Sequence, residues 1–364
     1  MTNRISLYIW VVGVMFPLYT IGQTGANRNE TNSHSNSSGS LAFVYNGSVW
    51  KFKSGTSNLG PHSAITPICK LNSVFGHVLA YSPVLVHGSS VYGTIIGRNA
   101  RSSSWKTVMY TGSDAYGAYK ILWEWTAGKK RMRIAGGPIM QQNKYGSGED
   151  TGFCYSRNGM LYGVTLEGGV LGGGTVFSFN PHSKAYALLH SFGGIGAGNV
   201  NNDGAHPSQQ LACYGHKLFG TTCRGGKFGH GVLFRLVLKN HAFRVMHNFQ
   251  SRAREYGEGL VLQPVLLTSD NLIVGCRPHG GSFGTGAIYS IQPNGTDYRV
   301  LHSFRPVEKQ DRASNADGME PLGLVPCSSG YIVGITSWGG KFDGGTVFEM
   351  RNDGSHFRVI YQDS

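Results

Sequence analysis

The sequence has few charged residues. Asp, Glu, Lys and Arg make up 14% of its 364 residues, whereas glycine alone contributes 54 residues; the usual charged share is about 25%. This glycine content excludes an all-helical protein, because each glycine inside a helix costs about 1 kcal/mol relative to alanine. The hydrophobic share of 40% suffices for a core, which excludes general disorder. Together with 12% aromatic residues, the composition predicts an all-β fold with many turns.

Motifs of common catalytic and metal sites are missing as well. The sequence contains no HExxH, CxxC or GxxxxGK[ST] pattern. One match to the nucleophile pattern GxSxG, at Gly280–Gly284, has no helix after it, and matching segments carry Lys227 and Lys341 in place of Ser282. The sequence therefore predicts no catalytic residue, no metal and no cofactor.

The sequence has six cysteines, which permit three disulfides with 15 possible pairings.

The N-terminus resembles a secretion signal. Arg4 precedes an apolar run from Ile5 to Ile21, and small residues before Gln23 fit a cleavage site. We expect residues 1–22 to be a signal peptide; an uncleaved membrane anchor is the alternative. Residues 23–40 are mostly Asn, Ser, Thr and Gly, as in a flexible linker. No later segment is apolar enough to span a bilayer, so we expect a secreted or cell-surface protein.

The remaining chain is an internal repeat. Four units each contain a Gly-Gly pair, which begins at residues 168, 225, 280 and 339. Two degenerate copies precede them, with about 13 extra residues around 97–117 in the second. Six units result, with one anchor residue each: Trp50, Tyr92, Tyr162, Phe219, Ile273 and Ile332.

Each unit is expected to contain four strands, here called a, b, c and d. Turn residues such as Asn294-Gly295 separate short apolar stretches, of which Thr175–Phe179 is an example of strand c and Arg299–Phe304 of strand d. Short strands repeated at a fixed period are typical of β-propeller blades. The sequence therefore predicts one β-propeller domain over residues 41–362, with six blades.

The same units resemble a known family. The stretches LYGVTLEGGVLGGGTVFSF and LFGTTCRGGKFGHGVLF are similar to the extracellular tandem repeat called GloVer. The similarity covers residues 160–362 well and 88–140 weakly. This resemblance implies a secreted or surface-anchored repeat protein, and it implies no catalytic residues.

Strand direction alternates within a blade, so the b–c loops and d–a connections lie on one face. The long segments 97–118, 193–206, 250–260 and 305–320 are expected there, and function commonly lies on such loops. Arginine binds carboxylate or sulfate, and tryptophan stacks on sugar rings. The candidate binding residues of this face are Trp105, Arg224, Lys227, Arg277, His279, Trp338 and Lys341. A Trp338 folded over its own blade is the alternative.

Two further patterns have structural explanations. His190, His247 and His302 occupy matched places in strand d, which predicts a hydrogen bond from blade to blade rather than a ligand site. The net charge of +13 comes partly from arginines at the start of strand d, where charge prevents edge-to-edge aggregation. Attraction of polyanions is the alternative.

Two functions fit these features. The favoured one is a non-enzymatic binding or adhesion propeller for an extracellular glycan or protein, an acidic partner included. The alternative is a secreted propeller enzyme, a lyase or hydrolase, that acts on polysaccharide. We expect a monomer without specific nucleic-acid binding and without a membrane span after signal cleavage.

Overall fold

The described part of the chain consists of β-strands. The computed structural model describes residues 153–362 apart from 157–158, 209–210, 251–264, 307–314, 328–329 and 342–343, together with the backbone of ten strands between residues 40 and 141. Residues Ala197–Asn199 form a short 3₁₀ turn. None of the described residues forms a helix long and apolar enough to cross a bilayer. The all-β prediction is confirmed, whereas the predicted signal peptide and, apart from Ser40 at the start of the first strand, the predicted linker lie outside the described residues.

The first two units differ from the predicted four strands. A three-stranded sheet has the order β1-β2-β3, and a seven-stranded sheet has the order β10-β9-β8-β7-β6-β4 with β5 also on β6. β7 lies inside segment 97–118, which we expected to be a loop. Its sequence KTVMYTGS contains three β-branched residues and a tyrosine, which favour a strand. The strands are β1 Ser40–Tyr45, β2 Ser48–Lys53, β3 Ile65–Lys70, β4 His77–Leu79, β5 Leu85–His87, β6 Ser90–Arg98, β7 Lys106–Ser113, β8 Tyr119–Thr126, β9 Arg131–Ile134 and β10 Ile139–Gln141.

The last four units form antiparallel sheets with the predicted order a-b-c-d. In the second of them strand a is split into two pieces, which both pair with strand b. The sheets are β11 Phe153–Tyr155, β12 Leu161–Thr165, β13 Thr175–Phe179 and β14 Tyr186–Ser191; β15 Ala205–Pro207, β16 Ala212–Tyr214, β17 Lys217–Arg224, β18 Val232–Val237 and β19 Ala242–Asn248; β20 Leu266–Leu267, β21 Ile273–Arg277, β22 Ala287–Ile291 and β23 Arg299–Ser303; β24 Asn315–Pro326, β25 Tyr331–Gly340, β26 Thr346–Arg351 and β27 Arg358–Gln362.

Two of the predicted long connections contain strands. β15 ends segment 193–206, and β24 begins at Asn315, inside segment 305–320. Each of the six anchor residues nevertheless lies in a different sheet, as the repeat predicts. The number of blades and their closure into one domain stay predictions.

The described residues fall into two compact units, one up to Phe192 and a second from Gly193 onward. In the second unit three sheets pack in succession. The sheets β15–β19 and β20–β23 share a buried cluster that includes Phe219, Phe249 and Tyr289. The sheets β20–β23 and β24–β27 share another, which includes Phe304 and Phe348. Burial of these rings between sheets is the main stabilising contribution here.

A glycine of strand b makes room for an aromatic ring of strand c. Gly220 lies opposite Phe234 in the strand register, and a Cβ on Gly220 would lie 2.6 Å from Phe234 Cζ. The strand-c ring then stacks on an aromatic residue of strand d, here Phe243 at 5.4 Å between ring centroids. The same arrangement recurs in the other three of these last four sheets, where Tyr298 and Phe357 directly precede strand d. The residues are Gly163, Phe177 and Tyr186; Gly275, Tyr289 and Tyr298; and Gly334, Phe348 and Phe357.

The periodic histidines join successive sheets by stacking. The His247 ring lies parallel to Tyr298 of the next sheet, with 3.8 Å between centroids, and His302 lies on Phe357 at 3.6 Å. Each also meets a phenylalanine of its own sheet edge to face, Phe249 and Phe304. The predicted sheet-to-sheet role is therefore correct for these two, but ring stacking carries it where we expected a hydrogen bond.

The cysteines serve different purposes. Cys154 and Cys213 are disulfide-bonded, whereas Cys276 and Cys327 are free thiols. Burial raises the pKa of the Cys276 thiol to about 12, so it stays protonated at neutral pH. Three disulfides among the six cysteines are thus not formed.

The glycine–aromatic contact gives a direct test. In Gly220→Ala the new methyl group would overlap Phe234 and Leu211, so the free energy of unfolding should fall by about 1–3 kcal/mol. Chemical denaturation of the full chain measures this change. Gly196→Ala is the control, because Gly196 has φ −85° and its nearest neighbour, Val200 O, is 3.9 Å from the added carbon. Equal stability of both variants would contradict the packing role.

The histidine stack predicts sensitivity to acid. Burial, and then the positive charge of Arg277, lower the pKa of His247 from 6.5 to about 4. Between these values the unfolded chain binds more protons than the folded chain, so stability is full above pH 6.5 and declines as the pH falls towards 4. His247→Phe keeps a ring on Tyr298 without a titrating group. Denaturation midpoints measured from pH 7.5 to 4.5 should decline less steeply for this variant than for the wild-type protein. Equal slopes would exclude His247 as a source of the acid sensitivity.

Candidate binding surface

Each b–c loop is closed by its glycines. Gly225 and Gly226 both have φ +75°, in the left-handed region that favours glycine. The N–H of Gly231 donates to the carbonyl of Gly225 at 2.9 Å, and a Cβ on Gly231 would collide with the backbone of Thr222. The corresponding bonds recur in the sibling loops, from Gly174 to Gly168, Gly286 to Gly280 and Gly345 to Gly339. The predicted backbone role of the Gly-Gly pairs is confirmed.

The end of strand d holds the tip of each loop. The N–H of Lys227 donates to Asn248 Oδ1 at 2.7 Å, and the N–H of Ser282 to Ser303 Oγ at 3.2 Å. Leu171 and Lys341 are bound to Ser191 and Gln362 in the same manner. Ser282 of the GxSxG match is therefore a loop-tip residue like its siblings.

A second motif, N-x-D-G, holds the d–a connection at the start of strand a, and the sequence analysis missed it. Asn201 Oδ1 accepts the N–H groups of Gly204 and Gly226 at 2.8 Å, and Asn201 Nδ2 donates to the carbonyls of Gly193 and Gly204. The tetrad recurs as Asn315–Gly318, where Asn315 Nδ2 donates to Arg305 O. Its recurrence at the start of strand a in two units was the available signal.

Six of the seven predicted binding residues are described, and Trp105 lies outside the described residues. Arg224 and Trp338 lie near the C-terminal ends of β17 and β25, and Lys227 and Lys341 lie in the loops that follow. Trp338 is 49% exposed, so the ring is not folded into the core. Lys227 Nζ lies 5.3 Å from the centroid of the neighbouring Phe228 ring.

Arg277 has a more structural environment than we expected. It is the last residue of β21, at the position that Thr165, Thr222 and Thr336 occupy in the sibling sheets. Its guanidinium lies over the Phe249 ring at 4.5 Å, and Nη1 donates to Gln250 O at 3.1 Å. Burial lowers its pKa. Arg277, predicted as a binding residue of the loop face, therefore also has contacts that support the fold.

His279 and Trp338 are brought near each other by strand β24. The N–H of Glu320 donates to Thr285 O, in the b–c loop of the preceding sheet, at 2.9 Å. His279 Nδ1 lies 3.9 Å from Glu320 Oε1, and the adjacent Met319 is opposite Trp338 in the strand register. The loops of neighbouring sheets in this unit thus meet at the same end.

Exposed apolar side chains at the loop tips are a further feature that the sequence analysis missed. Phe283 is 54% exposed and Phe228 37%, each three residues after the first glycine of its pair. Leu171 occupies the matching place in the other compact unit and is 58% exposed. The recurring apolar residue at this offset was the signal. We use the name loop surface for the tips and strand ends in the second unit, namely Arg224, Lys227, Phe228, His279, Phe283, Trp338 and Lys341.

Comparison with known families assigns the repeat to a family. Residues 90–316, well over half of the chain, match the Gloeobacter/Verrucomicrobia repeat. The chain belongs to this repeat family. The resemblance to the GloVer repeat is thereby confirmed, while no curated protein matches the sequence.

Solved structures resemble this Gloeobacter/Verrucomicrobia repeat protein in fold. A puromycin-hydrolysing peptidase of Mycobacterium tuberculosis superposes with a TM-score of 0.55 at 11% identity, covering 91% of this chain and 44% of that chain. A mutant puromycin hydrolase complexed with PGG gives 0.51 at 11% identity, covering 89% and 43%. TolB from Acinetobacter baumannii gives 0.47 at 11% identity, covering 86% and 58%. The chain spans less than half the length of the two hydrolases, and the similarity shows a propeller-like fold alone.

The environment of Arg277 in this repeat protein predicts a stability effect. Arg277→Ala should lower the free energy of unfolding by about 1–3 kcal/mol, because it removes the ring contact and the hydrogen bond to Gln250. Arg224→Ala is the control at the end of the preceding strand b and should change it by less than about 0.5 kcal/mol. Chemical denaturation compares the two. If both variants match the wild-type protein, Arg277 has no structural role.

Proposed function

We propose that this protein is a non-enzymatic binding or adhesion protein, secreted after removal of residues 1–22, whose loop surface binds an extracellular glycan or protein. In this proposal the repeats over residues 41–362 are the six blades of one closed propeller. The observation that carries the proposal is the row of exposed aromatic side chains, Phe228, Phe283 and Trp338, at the same end of three successive sheets.

Exposed rings at the same end of three sheets, two of them at matched positions, favour a contact surface over chance exposure. An isolated apolar residue on a surface is common, whereas recurring exposed rings are typical of interaction sites. Flat aromatic faces bind sugar rings or apolar partner groups and lose little side-chain entropy on binding. The repeated position therefore supports a ligand that is itself extended or repetitive.

The backbone below these rings is held before any ligand arrives. Each described loop has its glycine-to-glycine hydrogen bond, and three tips in this unit are bound by the end of strand d. Preorganised contact residues reduce the entropy lost on binding. The tips therefore suit recognition more than a movable lid.

Cationic groups accompany the rings. Lys227 and Lys341 flank the tips of their loops, and Arg224 precedes a Gly-Gly pair. His279 with Glu320 adds both a nitrogen and a carboxylate near Trp338. This mixture supports a polar, hydroxyl-rich ligand, with acidic groups tolerated near the lysines.

A binding screen tests the proposal. The full chain is applied to an array of neutral, uronic-acid and sulfated oligosaccharides, and the affinity for each hit is measured for Phe283→Ala and Trp338→Ala. Each variant should bind about 10- to 100-fold more weakly, as expected for loss of a central aromatic contact. Its free energy of unfolding should change little, because both rings are exposed.

Val300→Ala and Arg299→Ala are the controls. Val300 is 50% exposed, comparable to Phe283, but lies on the outer strand β23 of the same sheet. Arg299 lies beside it and bonds Asp297 at 2.6 Å. Both should bind ligand like the wild-type protein at physiological salt. Equal losses in the control and test variants would assign binding to another surface.

A further inference from the structure

One pair of residues on strands c and d recurs in all four sheets whose side chains are described. The strand register places one residue of strand c opposite one of strand d. Side chains in such a pair lie on the same face, with Cβ atoms about 5 Å apart. The four pairs are Ser178 with Ala187, Arg235 with Arg244, Ser290 with Arg299, and Glu349 with Arg358.

In two sheets an acidic residue neutralises the arginine of this pair. Arg358 Nε donates to Glu349 Oε1 at 2.7 Å, and Arg299 Nε donates to Asp297 Oδ1 at 2.6 Å. The first sheet has no charge at either position. Three of the four pairs therefore carry either no charge or an arginine whose charge is neutralised by an acidic residue nearby.

The pair on β18 and β19 differs, because two arginines face each other. Within the described ranges no carboxylate lies within ion-pair distance of Arg235 or Arg244. Like charges directly opposite each other destabilise a sheet. This pair therefore lacks the counter-charge that its siblings have.

Arg235 is also incompletely hydrogen-bonded. Its Nη1 donates to Pro293 O, in the c–d turn of the next sheet, at 3.5 Å. Its Nε is buried and has no hydrogen-bond acceptor among the described residues. A buried charged donor without an acceptor is costly. Arg244 is exposed, so this part of the sheet is accessible from solvent.

We infer that Arg235 and Arg244 form a binding site for a sulfate or phosphate group. An oxyanion beside two guanidinium groups accepts charge-assisted hydrogen bonds from both, in the planar geometry for which arginine is suited. It would supply the negative charge that this pair lacks. The site lies on strands, outside the loop surface, and does not depend on the proposed function.

Calorimetric titration of the full chain with sodium sulfate and sodium phosphate, at constant ionic strength in chloride, tests this inference. Direct binding is measured because sulfate also stabilises proteins without binding to them. The wild-type protein should show one saturable site, and the two affinities show which anion it prefers. Arg235→Glu introduces the ion pair that Glu349 and Arg358 form, and should weaken binding by about tenfold or more.

Two further variants keep the test decisive. Arg244→Ala removes the exposed arginine without altering the core and should cause a similar loss, even if Arg235→Glu fails to fold. Glu349→Arg places two arginines at the matched pair of the last sheet and should add a second saturable site. Absence of saturable binding to the wild-type protein, or unchanged affinity in Arg235→Glu or Arg244→Ala, would overturn the inference.

Discussion

The fold depends on a contact in which a glycine of strand b leaves space for an aromatic ring of strand c. Without a side chain at Gly220 or Gly334, the rings of Phe234 and Phe348 lie across strand b and stack on strand d. Tyr298 and Phe357, each directly before strand d of its sheet, then receive a histidine from the preceding sheet. A short pattern of Gly, aromatic and His thus links packing within a sheet to packing between sheets.

The loops that carry the exposed residues also depend on glycine. Left-handed glycines let the b–c loop close on itself, and a polar residue at the end of strand d fixes its tip. The loop backbone therefore needs no contact from Phe228 or Phe283, which leaves these rings exposed. A scaffold of this kind separates residues that build the fold from residues that are available for binding.

The pattern of residues predicted the regular features well and the exceptions poorly. The antiparallel a-b-c-d order of the last four units, the bounds of β13 and the backbone role of the glycines followed from turn residues and repeat spacing. β7 did not, because a lysine and an isolated strand pattern in an irregular unit resemble a loop insertion. The contacts of Arg277 could not be predicted either, because a charged side chain at a strand end normally points to solvent, and only packing shows the Phe249 ring beneath it.

The sequence by itself determined the all-β class, the repeat and the family, because glycine, turn and aromatic residues at a fixed spacing impose local geometry in every unit. Tertiary structure alone decided which histidine meets which ring and which arginine has a counter-charge. It also decided which of the apolar loop residues stay exposed. Those properties depend on neighbours from other strands and other sheets, such as Tyr298 beside His247 or Glu349 beside Arg358. Spacing along one unit does not encode these neighbours, since matched positions in sibling units carry different partners.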